Sequence, residues 1–303
     1  MSPDPDRGDT VSEVEFAPAK VNLFLHVGAP GSDGYHPICS LMMFADVGDR
    51  LALRRWGAMT FEVSGPFSGA LSAEADNLVT RARDALFTEV GAVDKGVCLT
   101  LEKSLPIAAG LGGGSADAAA ALRLLNRVLG LNLADAGLEA VAGRLGSDVP
   151  ACLRGVPVIA TGRGDRLTAA PALPDLHLVL VNPRLPSLTG PVYRAYDLDV
   201  RPEGDDHPAW PAALNDGQAV ARFLAGCRND LETPAVALQP AIGAVLALLS
   251  AQGECLLARM SGSGATCFAL CENRAAAAAL AARLLALHPD WWVTPTTLAG
   301  GRS

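Results

Sequence analysis

The chain has 303 residues, half of them apolar, and a formal charge of −8 at pH 7. No apolar run reaches the roughly 18 residues that cross a bilayer, and the acidic start MSPDPDRGDTVSEVE lacks the apolar core of a secretory signal, so a cytoplasmic protein is expected. An acidic chain also has no broad basic field for nucleic acid; an anion must be held locally, by backbone amides, a helix start and a few cations.

In chain order, residues 1–12 are polar with two prolines and predict a disordered acidic tail. Val14–Phe16 and Lys20–Val27 predict strands, followed by a turn at Gly28–Gly34. Ile38–Phe44, Asp49–Arg54 and Thr60–Val63 predict three more short strands, and Asp76–Val90 a helix. Val97–Glu102 is a strand by its pattern, Pro106–Gly114 a glycine-rich loop, and Ser115–Leu129 a helix opening directly after it. A second helix, Leu138–Leu145, ends at Gly146.

Beyond a turn-rich passage at Thr161–Asp175 the rhythm changes. His177–Val181 predicts a strand, with helices inside Ala212–Glu232 and at Pro240–Ala251. Two strands, Cys255–Met260 and Ala265–Cys271, are joined by Ser261–Gly264, and a helix at Arg274–His288 leads to a last strand at Trp292–Thr296. That order is β-α-β-β-α-β, the split βαβ pattern. It predicts two α+β domains, residues 13–165 and 166–303, with Arg201–Pro211 as a surface loop or insertion. Seven cysteines without a CxxC pair read as buried free thiols, and five scattered histidines argue against a structural zinc site.

Three motifs carry chemistry. In PIAAGLGGGSADAAAAL, Pro106–Leu122, four glycines in five residues let the backbone approach a ligand, and the following helix aims its unpaired amides at it. Ser115 offers a hydroxyl to a phosphate oxygen or a metal. The lysine of a Walker loop is absent, and serine at 115 breaks the Rossmann fingerprint. The plain alternative is a serine-capped turn. Asp117 is unhelpful beside a triphosphate and is assigned to the outer face of the helix start or to a metal.

In APAKVNLFLHV, Ala17–Val27, Lys20 stands on an otherwise apolar strand. It is one of only three lysines among 24 basic residues. It either snorkels to water or sets its ammonium beside a substrate hydroxyl and a transferred phosphoryl group. Asn22, two positions on, shares its face. In LGSDVPACL, Leu145–Leu153, Asp148 is either a turn-capping aspartate or the base that accepts a hydroxyl proton. Two features support these: Tyr35 and His36 in GYHPI, each alone read as core packing but together on a loop suited to a nucleobase, and the second glycine turn in RMSGSGATCFAL, Arg259–Leu270, a hairpin loop or a wall of the phosphate site.

The lysine strand, then GLGGGS, then SGSGAT resemble the GHMP small-molecule kinases, over roughly residues 15–271. AKVNLFLHV, DGYHPI, GLGGGSADAAAAL, GSDVPA and GRGD resemble the branch whose acceptor is a CDP-linked methylerythritol. The resemblance implies a two-domain α+β fold, ribosomal-S5-like at the N-terminus and ferredoxin-like at the C-terminus. It implies ATP-dependent phosphorylation of the acceptor's 2-hydroxyl in the non-mevalonate isoprenoid route, with ATP and Mg²⁺ required.

By motif position, Lys20 and Asp148 are then catalytic. Pro106, Ala108, Ala109, Gly110, Leu111, Gly112, Gly113, Gly114 and Ser115 bind ATP, with Ser115 also the metal candidate. Asn22, Tyr35, His36 and Tyr193 bind the acceptor, Tyr193 as the second aromatic against cytosine. The implied partners are small molecules, neither nucleic acid nor membrane, on a monomer or weak homodimer. Departures from the family pattern are Ala116 in the glycine motif, Ala151 and Cys152 after GSDVP, and Asp165 in GRGD. The rivals are another GHMP enzyme (a homoserine, mevalonate or sugar kinase) and a non-catalytic nucleotide- or RNA-binding protein.

Overall fold

The computed structural model describes residues 12–55, 58–71, 77–91, 96–199, 204 and 206–300. The expected tail, apart from Ser12, and part of Arg201–Pro211 lie outside the described residues. Packing divides the chain into two units that are discontinuous in sequence, rather than at one cut. The first unit comprises residues up to Pro18, Gly48–Leu105 and Gly113–Arg154; the second comprises Ala19–Val47, Pro106–Gly112 and Gly155 onward.

The first unit takes the start of β1 (Glu13–Val27), the end of β2 (Ile38–Arg55), β3 (Thr60–Ser64), α1 (Leu78–Val90), β4 (Val97–Glu102), α2 (Gly113–Val128), α3 (Asp135–Leu145) and α4 (Val149–Arg154). β4 pairs antiparallel with β2, Leu101 opposite Leu51, and parallel with β3, Leu99 opposite Phe61. Four consecutive alanines, Ala118–Ala121, are fully buried on α2, and their small side chains let α1, α3 and α4 approach it closely. Asn77 caps α1 by accepting the Val79 amide at 2.8 Å, and Gly91 ends it at φ 61°. Arg123 on α2 pairs with Glu15 at 2.7 Å and donates to the Phe16 carbonyl at 3.2 Å, tying the helix to β1.

Both β1 and β2 are single strands where the pattern predicted two each. Gly48 explains the second case: a Cβ there would stand 2.2 Å from the Ala17 carbonyl oxygen, so glycine lets the strand continue past β1 rather than break. α2 also begins two residues early, inside the glycine run.

The second unit holds β5 (Val158–Gly162), β6 (Arg166–Ala169), β7 (Leu176–Asn182), α5 (Thr189–Asp199), α6 (Gly217–Ala225), α7 (Glu232–Leu238), α8 (Pro240–Ser250), β8 (Cys255–Met260), β9 (Cys267–Cys271), α9 (Arg274–Leu287) and β10 (Trp292–Leu298). Its sheet runs β10-β7-β9-β8, every pair antiparallel, which is the split βαβ order expected from the chain. The first half of β2 pairs with β5, Leu41 opposite Ile159, and β5 turns back into β6 where the sequence read only as a turn-rich passage. α5 was not predicted; its apolar positions Val192 and Tyr196 are buried against the core that holds Val179, Val181 and Ala269.

All seven cysteines lie among the described residues without a disulfide, six of them buried, as their apolar surroundings implied. Among the described residues no helix is long and apolar enough to cross a membrane.

Candidate functional site

In the second unit, β1 delivers Lys20 and Asn22 to one face, 4% and 2% exposed. The Lys20 amide donates to the Leu111 carbonyl at 2.8 Å, fixing the strand to the first glycine loop. Gly112 has φ 61°, and a Cβ there would meet Lys20 Cβ and Cε at 3.2 Å, so the loop passes the lysine as only glycine readily allows. Gly110 is bound more tightly still: a Cβ would stand 2.1 Å from the Ser261 carbonyl oxygen. The Thr266 amide donates to Ala109 at 3.1 Å and the Ser187 amide to Ala108 at 3.0 Å. The glycine turn at 261–264 is therefore stitched to the loop at 106–112 by backbone, more than the hairpin loop that its pattern also allowed. Asn229 holds that turn from behind, its amide donating to the Met260 and Gly262 carbonyls at 2.8 Å each.

The Asn22 side chain is oriented by its neighbours. Ser40 spends its hydroxyl proton on the Phe24 carbonyl at 2.6 Å, so its oxygen accepts from Asn22 Nδ2 at 2.7 Å. The Asn22 backbone amide donates to Ser261 Oγ at 3.1 Å, and that hydroxyl donates on to the Gly110 carbonyl at 2.9 Å. Asn22 Oδ1 is left buried without a hydrogen-bond partner, 3.2 Å from where a Cβ on Gly262 would be. A neutral acceptor held in that way costs about 1–3 kcal/mol unless a donor reaches it.

His36 and Tyr193 come together in the same unit, ring centroids 5.1 Å apart, with Tyr196 edge-on to His36 at 5.7 Å. Both imidazole nitrogens face protein acceptors: Nδ1 the Gly28 carbonyl at 2.8 Å, Nε2 the Asp197 carboxylate at 3.2 Å. Tyr35 is 58% exposed and is engaged by Arg163, whose guanidinium lies 4.2 Å from its ring centroid.

In the first unit, the run continues as Gly113, Gly114 and Ser115 in the first turn of α2, with Ser115 half-buried. Beside Gly113 lies a buried charge cluster that the motif reading missed. Lys103 Nζ bonds both Asp49 Oδ2 and, at 2.7 Å, Asp117 Oδ2. Asp49 Oδ1 accepts the amides of Ser104 and Leu105 at 2.6 and 2.8 Å. Asp117 is 3% exposed, which corrects its assignment to the outer face of the helix. Burial pushes its carboxyl up to about 7 against the pull of the Lys103 ammonium, and the neighbouring Asp49 carboxylate adds to the rise. A Cβ on Gly113 would stand 3.1 Å from Lys103 Nζ, so glycine admits this cluster to the helix start. The available signal was the scarcity of lysine: Lys103 closes an apolar strand just before the loop.

Asp148 is half-buried in the turn between α3 and α4, and its carbonyl accepts the Cys152 amide at 3.0 Å. The unusual Ala151 and Cys152 are fully buried on α4, and Arg123 Nη1 donates to the Cys152 and Leu153 carbonyls at 3.0 and 3.1 Å. Small side chains and one arginine thus fill the space beneath the turn. Among the described residues no group of three or more His, Cys, Asp or Glu side chains forms a metal cluster.

Residues 77–156 match the family model of the GHMP kinases N terminal domain, and residues 211–290 match that of the GHMP kinases C terminal region. The 4-diphosphocytidyl-2-C-methyl-D-erythritol kinase of Caulobacter sp. (strain K31) is 58% identical, over 94% of this chain and 98% of that protein. A crystal structure of 4-(cytidine 5'-diphospho)-2C-methyl-D-erythritol kinase superposes with a TM-score of 0.76 at 36% identity, covering 95% of this chain and 100% of that one. Homoserine kinase from Cytophaga hutchinsonii shares the fold, with a TM-score of 0.67 at 20% identity and 96% of each chain covered.

Proposed function

We propose, from the premise that the chain belongs to the GHMP kinase family and within it to the 4-diphosphocytidyl-2-C-methyl-D-erythritol kinases, that it transfers the γ-phosphoryl group of ATP to the 2-hydroxyl of 4-CDP-2-C-methyl-D-erythritol, a step of non-mevalonate isoprenoid synthesis. The observation that carries this reading is the orphaned Asn22 Oδ1, buried on the Lys20 face beside two interlocked glycine turns. An acceptor hydroxyl donating to that oxygen would relieve its cost and be oriented for attack.

In this reading the Asp148 carboxylate accepts the proton of the attacking 2-hydroxyl. Lys20 steadies the negative charge that builds on the nucleophile and the transferred group; a compact ammonium suits that place better than the broad guanidinium fork. Gly110 to Ser115, with Pro106, Ala108 and Ala109, hold the phosphates of ATP through backbone amides and the start of α2. Mg²⁺ binds with few protein ligands and several waters, so the Ser115 hydroxyl beside a nucleotide phosphate fits it, and the ion would neutralise phosphate charge. Cytosine stacks on Tyr35, with Tyr193 as its second wall. His36 braces Tyr193 and offers Nε2 to the base once the Asp197 carboxylate, 41% exposed, swings away.

The test is ADP release on adding the cytidyl alcohol. Asp148→Asn is expected to lower kcat by about 10²- to 10⁴-fold with the fold intact. Near-full turnover from that variant would remove Asp148 from its role, and no turnover from the wild type would end the reading.

A further inference from the structure

The hairpin between β5 and β6 and the turn before β2 are brought side by side by register, since Gly162 lies opposite Ile38. Residues 163–165 therefore stand next to residues 33–37, and Asp33, Tyr35 and Pro37 from the one side with Arg163 and Asp165 from the other help to line an open cleft of about 290 Å³. Both turns are tightly built. The Tyr35 amide donates to Asp33 Oδ1 at 3.0 Å, the Gly31 amide to the Tyr35 carbonyl at 2.8 Å, and the Arg163 amide to Asp165 Oδ1 at 2.9 Å. Gly34 and Gly164 supply the left-handed conformations, φ 78° and 92°. Across the gap, Arg163 Nη2 pairs with Asp33 Oδ2 while its guanidinium covers one face of the Tyr35 ring. The Tyr35 amide, and after it the Arg163 guanidinium, hold the Asp33 carboxyl below its ordinary range, so Asp33 stays an acceptor for the guanidinium at neutral pH.

None of this resembles a contact made for stability. The ion pair is about half exposed on both sides, where such pairs contribute little. What it does is geometric. An exposed tyrosine on a loop would otherwise sample several rotamers and lose that freedom on binding a base. Here a planar cation, itself fixed by Asp33, backs one face and leaves the ring open to solvent on the rest. We propose that Arg163 is a positioning residue that presets the Tyr35 ring, with Asp33 as its anchor, and so sets the affinity for the pyrimidine base of the acceptor. This inference rests on the reading of Tyr35 as a base platform.

Steady-state kinetics on the full chain tests it, varying CDP-methylerythritol at saturating ATP and then the reverse. Tyr35→Ala is expected to raise KM for the cytidyl alcohol at least about fivefold, the loss of one stacked base. Arg163→Ala is expected to raise the same KM by about two- to fivefold, leaving kcat and KM for ATP unchanged. Arg163→Lys should restore part of the loss, because an ammonium retains charge but not the planar stack. In the Tyr35→Ala background, Arg163→Ala should add nothing.

An unchanged KM in Arg163→Ala alongside a raised one in Tyr35→Ala overturns this inference alone. A lowered KM also overturns it, since the guanidinium would then be competing with the base for the ring. So does an equal effect in both backgrounds, because Arg163 would be acting independently of Tyr35. An unchanged KM in Tyr35→Ala itself overturns the base-platform reading and this inference with it.

Discussion

Two buried polar clusters each leave one oxygen without a hydrogen bond, and they are built in opposite ways. Around Asn22 every member is neutral, and the hydroxyls of Ser40 and Ser261 pass their protons on to backbone carbonyls, so each bond has one direction. Around Lys103 two carboxylates share one ammonium, and the second carboxyl is pushed up to about 7 by its burial. A carboxyl whose pKa is raised by burial can take a proton more readily than an exposed one and so lessen its own desolvation cost. The Asn22 carbonyl has no such recourse. It keeps its penalty until a donor arrives, so under the function proposed above the neutral cluster falls to the ligand and the charged one to the α2 start.

The largest test of that contrast is Lys103→Met. Removing the shared cation leaves two buried carboxylates facing each other and should cost about 3–5 kcal/mol, read as a drop in the denaturant midpoint. A loss under about 1 kcal/mol would mean that the cluster is not a strut. Asn22→Leu sharpens the other side. It keeps the branched shape but removes the orphaned acceptor, so kcat/KM for the acceptor should fall about 10- to 100-fold while KM for ATP stays put. Stability should change little, because an unpaid polar cost disappears with the bond to Ser40. A large stability loss with intact kinetics would reverse the assignment of the two clusters. The smallest effect is expected from Asp117→Asn: the amide keeps an oxygen for Lys103 and removes the charge that burial already opposes. Stability should change by less than about 1 kcal/mol in denaturant unfolding, and a loss of several would show that the full negative charge is needed there.

Much of the fold was legible because it is local. The split βαβ order of the second half follows from alternation and helical spacing within short windows, and its sheet runs as those elements require. Continuity was not legible. Gly48 reads as a breaker from its neighbours alone, and its use in letting β2 pass Ala17 exists only once β1 lies beside it. The glycine loops announced themselves by composition, but their interlocking through Gly110 and Ser261 joins residues 151 positions apart. Lys103 and Asp117 were both visible, and Asp117 was assigned to the wrong face. The partner that draws it inward, Lys103 with Asp49, comes from other strands and leaves no spacing signal. Arg163 was likewise beyond reach, since only the β2–β5 register brings it to Tyr35.

The central claim is that this kinase takes its acceptor by the cytidyl end. It is tested most directly by phosphoryl transfer from ATP across matched concentrations of the cytidyl alcohol, homoserine, mevalonate and galactose, with CMP as competitor. The account predicts turnover with the cytidyl alcohol alone, inhibited by CMP competitively against that acceptor and not against ATP. Comparable turnover with any of the other acceptors, or indifference to CMP, would contradict it.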